Sequence, residues 1–406
     1  MGVWRGVSKG RPCAICASKS GLRCSYTDDG AVWCMYTDGA EVAGWRKLVG
    51  GTRPENGVDE HGGTVYRPAD EAHGPGSAFG AAAIEAQRQK REAHEAKETA
   101  RAIERARVHW RTCGGAVDHP AMRMYFQARG VPLNRLEGGK LPPALRYVPR
   151  AEYWFERGRN DVVQLAPGPA VYCGAVDKGG TLTGIQRIYL DVHGAPAKRA
   201  IADLAPPGSE AGKESAKKAA GKIAEVGAAV RLGRSTFPGG VLCLTEGVET
   251  GLAVQACGLA AWACVSTSGL LNVEIPEDLV APRGPVTRIV FMADHDKIDA
   301  RRGFRPGHQK ATIAANRLAA RFPACRVVVR EPRAAEAPGL IGAAPGSEDA
   351  FGDILTGKKS VDWLDVVARG DEGVNAVIAA VAESAGEAPP HAPAEPAAER
   401  AEDAEE

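Results

Sequence analysis

The run RIVFMADHDK, Arg288 to Lys297, ends an apolar stretch in two acids one residue apart, Asp294 and Asp296. A buried strand can carry carboxylates only at its end, where water, a partner or a metal reaches them. Side chains two apart in an extended chain point to the same side, so the pair can seat a cation. A strand also ends in Asp merely because Asp favours turns. A second apolar run, VLCLTEG, closes on Glu246. Sites in open α/β sheets lie beyond the carboxyl ends of the strands, so these three acids can converge on one rim. Clustered carboxylates repel unless they hold a cation, and hard oxygen donors suit Mg2+ or Mn2+. The later stretch SEDAFGDIL offers Glu348, Asp349 and Asp353 as further donors.

A different chemistry sits near the N-terminus, where Cys13, Cys16, Cys24 and Cys34 are spaced C-x2-C-x7-C-x9-C. Four thiolates satisfy the tetrahedral preference of Zn2+, and the tight first pair supplies a knuckle. Few apolar residues surround them, so a metal would supply much of the folding energy. The competing readings are free thiols or a redox pair. Arg, Tyr and Trp interleave with the ligands, as suits single-stranded nucleic acid, on which aromatics stack and cations pair phosphates. Trp33 and Tyr36 either stack bases or shield the knuckle.

The elements that must position these residues follow from pattern. Residues 1–50 hold the cysteine cluster. Residues 51–109 begin rich in Gly and Pro, as in a linker, then turn to Ala, Glu, Lys and Arg with few apolar anchors, which predicts a solvated helix. In residues 110–239, HPAMRMYFQARG reads as a helix closed by Gly130, and GTLTGIQRIYLD as a hairpin with a following strand. Residues 240–370 alternate strand and helix: VLCLTE, VETGLAVQACG, AAWACVS, RIVFMAD, GHQKATIAANRLAARF and CRVVVREP. That alternation predicts an α/β domain with a largely parallel sheet. The remainder, 371–406, reads as an acidic disordered tail.

The 406 residues carry a net charge of +1, with 44% hydrophobic residues, and this average conceals an asymmetry. From Asp371 onward ten acids face one Arg, a balance of −9, which leaves +10 on the first 370 residues. A basic body suits a polyanionic partner. No apolar run is long enough to span a membrane and MGVWRGVSKGRP lacks a signal-peptide core, so the expected location is cytoplasmic, away from membrane. GDILTGKK nearly spells a P-loop but lacks the final Ser or Thr that reaches Mg2+, and is rejected as an ATPase site.

Taken together, TEGVETGLA, FMADHD and GHQKATIAANRLA resemble the Toprim domain of primases, topoisomerases and related nucleases. Upstream, HPAMRMYFQARGV, LPPALRYVPR, GIQRIYLD and KKAAGK resemble phage- and plasmid-type primases, in which a zinc ribbon precedes a basic α+β domain and then Toprim. The resemblance implies Glu246, Asp294 and Asp296 as the catalytic acids and ligands of Mg2+ or Mn2+, completed by Asp349 or Asp353. It implies structural Zn2+ on the four cysteines. It also implies Lys217, Lys218, Lys222, Arg187 and Lys310 as residues that grip template or incoming nucleotide. The ten residues between Asp296 and Gly307, including RRGFRP, depart from the usual shorter spacing and put the rim geometry in question.

The implied activity is primer synthesis on single-stranded DNA from NTPs, with a replicative helicase acting in trans. The alternatives are a Toprim-type nuclease and a non-enzymatic, zinc-bearing DNA-binding mediator of recombination or replication. A topoisomerase would need a tyrosine nucleophile, and all eight tyrosines lie at or before Tyr189, upstream of the acids. His295 and His308 read as residues around the site, and Glu249 as an acid favoured at a helix start.

Overall fold

The computed structural model describes residues 5–386 with gaps, the longest at 48–63, 69–77, 201–214, 297–304 and 344–352. The chain divides into two compact units, Met1–Arg101 and Ala102–Glu406.

The first unit is a small antiparallel sheet of β1 (Arg5–Gly6), β2 (Cys24–Tyr26), β3 (Val32–Cys34), β4 (Trp45–Lys47) and β5 (Thr64–Pro68), in the order β1-β2-β3-β5-β4. Strand β5 comes from the segment whose composition marks a linker. Its sequence, TVYRP, places Tyr66 inside and fully buried, which explains why this short run is drawn into the sheet. Apart from the cysteines the core is little more than Val7, Ile15, Val32, Trp33, Trp45 and Tyr66. Helix α1 (Ala78–Thr112) starts in this unit, where the Arg91 guanidinium donates to the Cys16 carbonyl at 2.8 Å. The sequence predicts this long, polar helix.

In the second unit, α2 (Pro120–Ala128) starts at His119, whose ring accepts from the Ala121 amide, with Pro120 in the first turn. It is followed by Gly130 at φ +90°, as the left-handed exit from a helix requires. An antiparallel meander follows: β6 (Leu145–Gly158), β7 (Asp161–Val176), β8 (Leu182–Tyr189) and β9 (Lys217–Gly221), neighbours in that order. Alternation gives it two apolar faces. Val171, Cys173 and Ile188 join one core, while Ala170, Tyr172, Ile185 and Tyr189 join another with Ala106 of α1.

The remaining elements are β10 (Val230–Leu232), β11 (Val241–Thr245), α3 (Val248–Ala256), β12 (Ala260–Ala263), α4 (Thr267–Asn272), β13 (Arg288–Met292), β14 (His295–Asp296), α5 (Pro306–Arg321) and β15 (Arg326–Arg330). After these come β16 (Ile341–Ala343), β17 (Asp353–Leu355), β18 (Ser360–Val361), α6 (Trp363–Val367) and α7 (Asp371–Glu383). The main sheet runs β10-β12-β11-β13-β15; β12, β11, β13 and β15 are mutually parallel, and β10 is an antiparallel edge. The parallel-rich α/β sheet expected from the alternating pattern is therefore present. Every residue of α3 is buried, which places it centrally, between the sheet and the core shared with α2, α6 and α7. Helices α4 and α5 cover the opposite face.

The last segment corrects the sequence reading. Residues 371–383 form α7, which buries Val374, Val377, Ala380 and Val381, so the acidic tail does not begin at 371 as a disordered segment. The acids of its first turn, Asp371 and Glu372, favour a helix N-terminus. Among the described residues, no helix is long and apolar enough to cross a membrane.

Candidate active site

Register decides which residues share the rim. Thr245, Met292 and Arg330 are the last paired residues of β11, β13 and β15, and they lie level with one another. The next positions of the chain bring Glu246, Asp294 and Glu331 beyond the carboxyl edge of the same sheet. A two-residue ladder then adds a distant segment: Asp296 of β14 pairs with Ser360 of β18, two residues before Asp362.

The rim is electrostatically unbalanced. Burial pushes the Asp294 carboxyl well above the usual carboxylate range, and Asp362, Glu246 and Asp296 push it further. Its Oδ1 is buried with no hydrogen-bond partner. Glu246 is raised by burial and by Asp296, against the pull of Lys217, Lys310 and the Thr267 amide. Asp362 is raised by burial and then by Asp365, its partner in the capping box that starts α6. Thr250 donates to Asp362 Oδ2 at 3.4 Å. Such a set costs stability unless a cation compensates it. Oxygen donors, an orphaned carboxylate oxygen and mutual repulsion together fit a divalent hard metal. Glu246, Asp294, Asp296 and Asp362 would hold it.

Sequence reasoning missed Asp362. The signal was present as SVDWLDVV, an acid three residues before another at the start of an apolar helix, but a capping box explains that spacing equally well. Of the two acids expected in its place, Asp349 lies outside the described residues. Asp353 opens β17, paired with Ala343 of β16.

Glu331 was also missed, although the strand-end rule that selects Glu246 and Asp294 selects it too. It has the opposite electrostatics. Burial would raise it, but His308, Arg305 and His295 together hold its carboxyl below the ordinary range. Arg305, itself 5% exposed, donates to Glu331 Oε1 at 2.7 Å, and His308 Nδ1 lies 3.3 Å from Oε2. Glu331 thus anchors the entry to α5 beside Asp296. That approach is close: a Cβ on Gly307 would stand 2.9 Å from Asp296 Oδ2.

The five expected basic residues separate. Lys217 pairs in register with Ile188, and its ammonium donates to Glu249 Oε2 at 2.9 Å. It lies close enough to lower both Glu246 and Asp294. Lys310 donates to Thr267 Oγ1 at 2.9 Å and also lowers Glu246. Lys218 and Arg187, paired with each other, extend on the other face of the meander, over the rings of Tyr153 and Tyr189. Lys222 is engaged with Glu225 at 2.8 Å. Two of the five therefore stand at the rim, and a strand's two-residue period is the reason that adjacent lysines diverge.

In the first unit the four cysteine sulfurs, all buried, lie within 4.8 Å of one another. Cys24 and Cys34 are direct cross-strand partners, and Cys13 and Cys16 sit on a tight turn closed by the Ala17 amide on the Cys13 carbonyl. The Cys16–Cys24 and Cys24–Cys34 sulfur distances are 3.5 and 3.9 Å. A tetrahedron with Zn–S bonds of about 2.3 Å has edges of about 3.8 Å, so the set fits Zn2+. Trp33, at 1% exposure, is part of the interior and offers no stacking surface; Tyr36 lies outside the described residues.

Comparison with protein families agrees with the geometry. Residues 241–337 match the Toprim domain model. The chain contains a Toprim domain. Residues 100–232 match a family described only as a domain of unknown function (DUF7146). No curated protein and no solved structure matches the chain. Toprim domains bind Mg2+, in keeping with the acids on the rim. The matched Toprim segment includes Glu246, Asp294, Asp296 and Glu331, whereas Asp362 lies beyond it and Lys217 belongs to the preceding module.

Proposed function

We propose that this protein is a DNA primase, a nucleotidyltransferase that synthesises short RNA primers on single-stranded DNA. The observation that carries this reading is the union of a carboxylate rim with Lys217 and Lys310 in a chain that also holds a four-cysteine cluster. Primer synthesis needs a 3′-hydroxyl made nucleophilic and a pyrophosphate leaving group stabilised, which divalent metal bound to such acids supplies. The protein's own residues supply the rest. Lys217 and Lys310 would pair with triphosphate or template phosphate, and the knuckle would engage single-stranded template. A replicative helicase would act in trans, in phage or plasmid replication within the cytoplasm.

A topoisomerase is disfavoured by Tyr125, the tyrosine bonded into this region. It is 1% exposed and donates to Glu249, and burial with that carboxylate pushes its phenol up, away from a nucleophilic phenolate. The deciding experiment incubates single-stranded DNA with labelled NTPs and Mg2+ or Mn2+, for wild type and Asp294→Ala. Short labelled products lost in the variant support the primase. Shortened template without NTPs identifies a nuclease. DNA binding with neither activity, unchanged by Asp294→Ala, identifies a non-enzymatic mediator.

A further inference from the structure

Glu249 lies in the first turn of α3, three residues after Glu246; it adds to the repulsion on Asp362, yet its own charge is compensated. Its side chain is 4% exposed, and all three of its polar partners come from the upstream module. Tyr125 of α2 donates to Oε1 at 2.9 Å, Lys217 of β9 donates to Oε2 at 2.9 Å, and the Lys198 ammonium lies 3.3 Å from Oε1. Burial alone would raise its carboxyl; the two lysines bring it down to about 2. A buried carboxylate with two cations is far more than a helix-start acid needs.

The geometry around Lys217 gives this arrangement a purpose. Glu249 follows Glu246 by three residues and precedes Thr250, which donates to Asp362 Oδ2, so an ammonium 2.9 Å from Glu249 Oε2 stands beside the rim. The rim's carboxylates are the ones that fit a divalent cation. An untethered lysine on that strand would fall onto them, neutralise the site and compete with metal. Glu249 gives the ammonium a stronger, desolvated alternative one helical turn away. We infer that Glu249 is a positioning residue, a latch that parks Lys217 beside the rim and off its carboxylates, so that the module of unknown function delivers a cation to the Toprim centre without blocking its metal. This rests on the reading of the rim as a divalent-metal site.

The test measures Mn2+ binding to the full chain by calorimetry or by the paramagnetic resonance of free Mn2+. The zinc knuckle is kept loaded, and wild type is compared with Glu249→Gln, Lys217→Ala and the double variant. Glu249→Gln weakens Mn2+ binding by about tenfold, a coupling of ordinary size between neighbouring sites. Lys217→Ala binds at least as tightly as wild type, and in its background the Glu249 substitution no longer matters. Such non-additivity separates a latch from a scaffold or a distant charge. Equal weakening in both backgrounds, or no weakening in either, overturns the latch. A wild type that binds no Mn2+ overturns the metal centre itself, and the latch with it.

A measurement on wild type alone guards against a Glu249→Gln variant that does not fold. The rate of acetylation of the Lys217 amine, read by mass spectrometry, stays within about twofold when Mn2+ is added if Glu249 already holds it, because a parked group's exposure does not depend on the metal. A several-fold rise means that Mn2+ expels the lysine from the rim, and the latch is wrong.

Discussion

The two candidate metal centres solve opposite problems. The cysteine cluster is closed: its four sulfurs lie within 4.8 Å of one another, on a hairpin and a turn that are adjacent in sequence. The carboxylate rim is open. Among the described residues no acidic group reaches that closeness, and its members arrive from β11, β13, β14 and the start of α6, more than a hundred residues apart. A closed set of soft donors stabilises a fold that has little core; an open set of hard donors keeps positions for substrate. The first centre is bound to stability and the second is opposed to it.

Stripping the zinc is the sharpest way to break that comparison. Structural zinc in small domains contributes on the order of 10–16 kcal/mol at neutral pH, more than the first unit's small core can replace. Cys24→Ser, or a strong chelator, unfolds Met1–Arg101 while the melting of Ala102–Glu406 is unchanged. Calorimetry with limited proteolysis reads both, and metal analysis gives one zinc per chain. Survival of the first unit after chelation would make the cysteines ordinary core.

The second effect in size concerns Asp294, where activity and stability move in opposite directions. Asp294→Ala lowers nucleotidyl transfer by roughly 10^3-fold, the loss expected when a group stabilising transition-state charge is removed. Asp294→Asn, the neutral isostere, is equally inactive but raises the Tm of the metal-free protein by about 2–4 °C. The sign follows from the raised carboxyl. A folded-state pKa above the unfolded value gives stability that is complete below the unfolded pKa and is lost as pH rises through the folded one. At neutral pH the ionised acid is therefore a burden, which asparagine or bound Mg2+ removes. A Tm lower for Asp294→Asn than for wild type would mean that the acid is already compensated.

Much of this opposition was legible in the sequence, and the parts that were not share one cause. The strand–helix alternation, the cysteine spacing, and Glu246, Asp294 and Asp296 are local patterns that read directly. Asp362 needs the pairing of Asp296 with Ser360, a contact across more than sixty residues that no local pattern announces. Lys217 and Lys218 look equivalent until the register of β9 against β8 sends them to opposite faces. β5 was hidden because TVYRP is one short strand in a run of Gly and Pro, and it forms only when β3 and β4 flank it. Glu331 was legible and was passed over, since RVVVRE obeys the rule already used for its neighbours.

Glu331 sharpens the contrast from within the rim, as an acid there that stabilises the fold. Glu331→Gln removes the carboxylate to which the buried Arg305 donates, which costs about 3 kcal/mol by analogy with broken buried pairs. Because its folded carboxyl is lowered, its contribution is present above the unfolded pKa and is lost as pH falls through the folded one. Acid titration of stability should therefore lose part of its slope in Glu331→Gln. An unchanged acid limb would remove Glu331 from the set of anchors.

The smallest predicted effect tests the rim's geometry alone. A Cβ at Gly307 would stand 2.9 Å from Asp296 Oδ2, tighter than real contacts allow, so Gly307→Ala displaces that carboxylate by a few tenths of an ångström. Gly307 starts a helix, and alanine is the better helix former there, so the variant should hold or gain stability. A displacement of 1 Å at a reacting centre can cost about 10^2-fold, and a third of that corresponds to roughly fivefold in kcat. Assayed over a range of Mn2+ concentrations, the loss should persist at saturating metal if Asp296 orients the reacting groups. It should vanish there if Asp296 serves only to bind metal. Either way, a variant that folds at least as well and reacts more slowly would show that this helix approaches the rim as closely as the carboxylate tolerates, because the site uses that closeness.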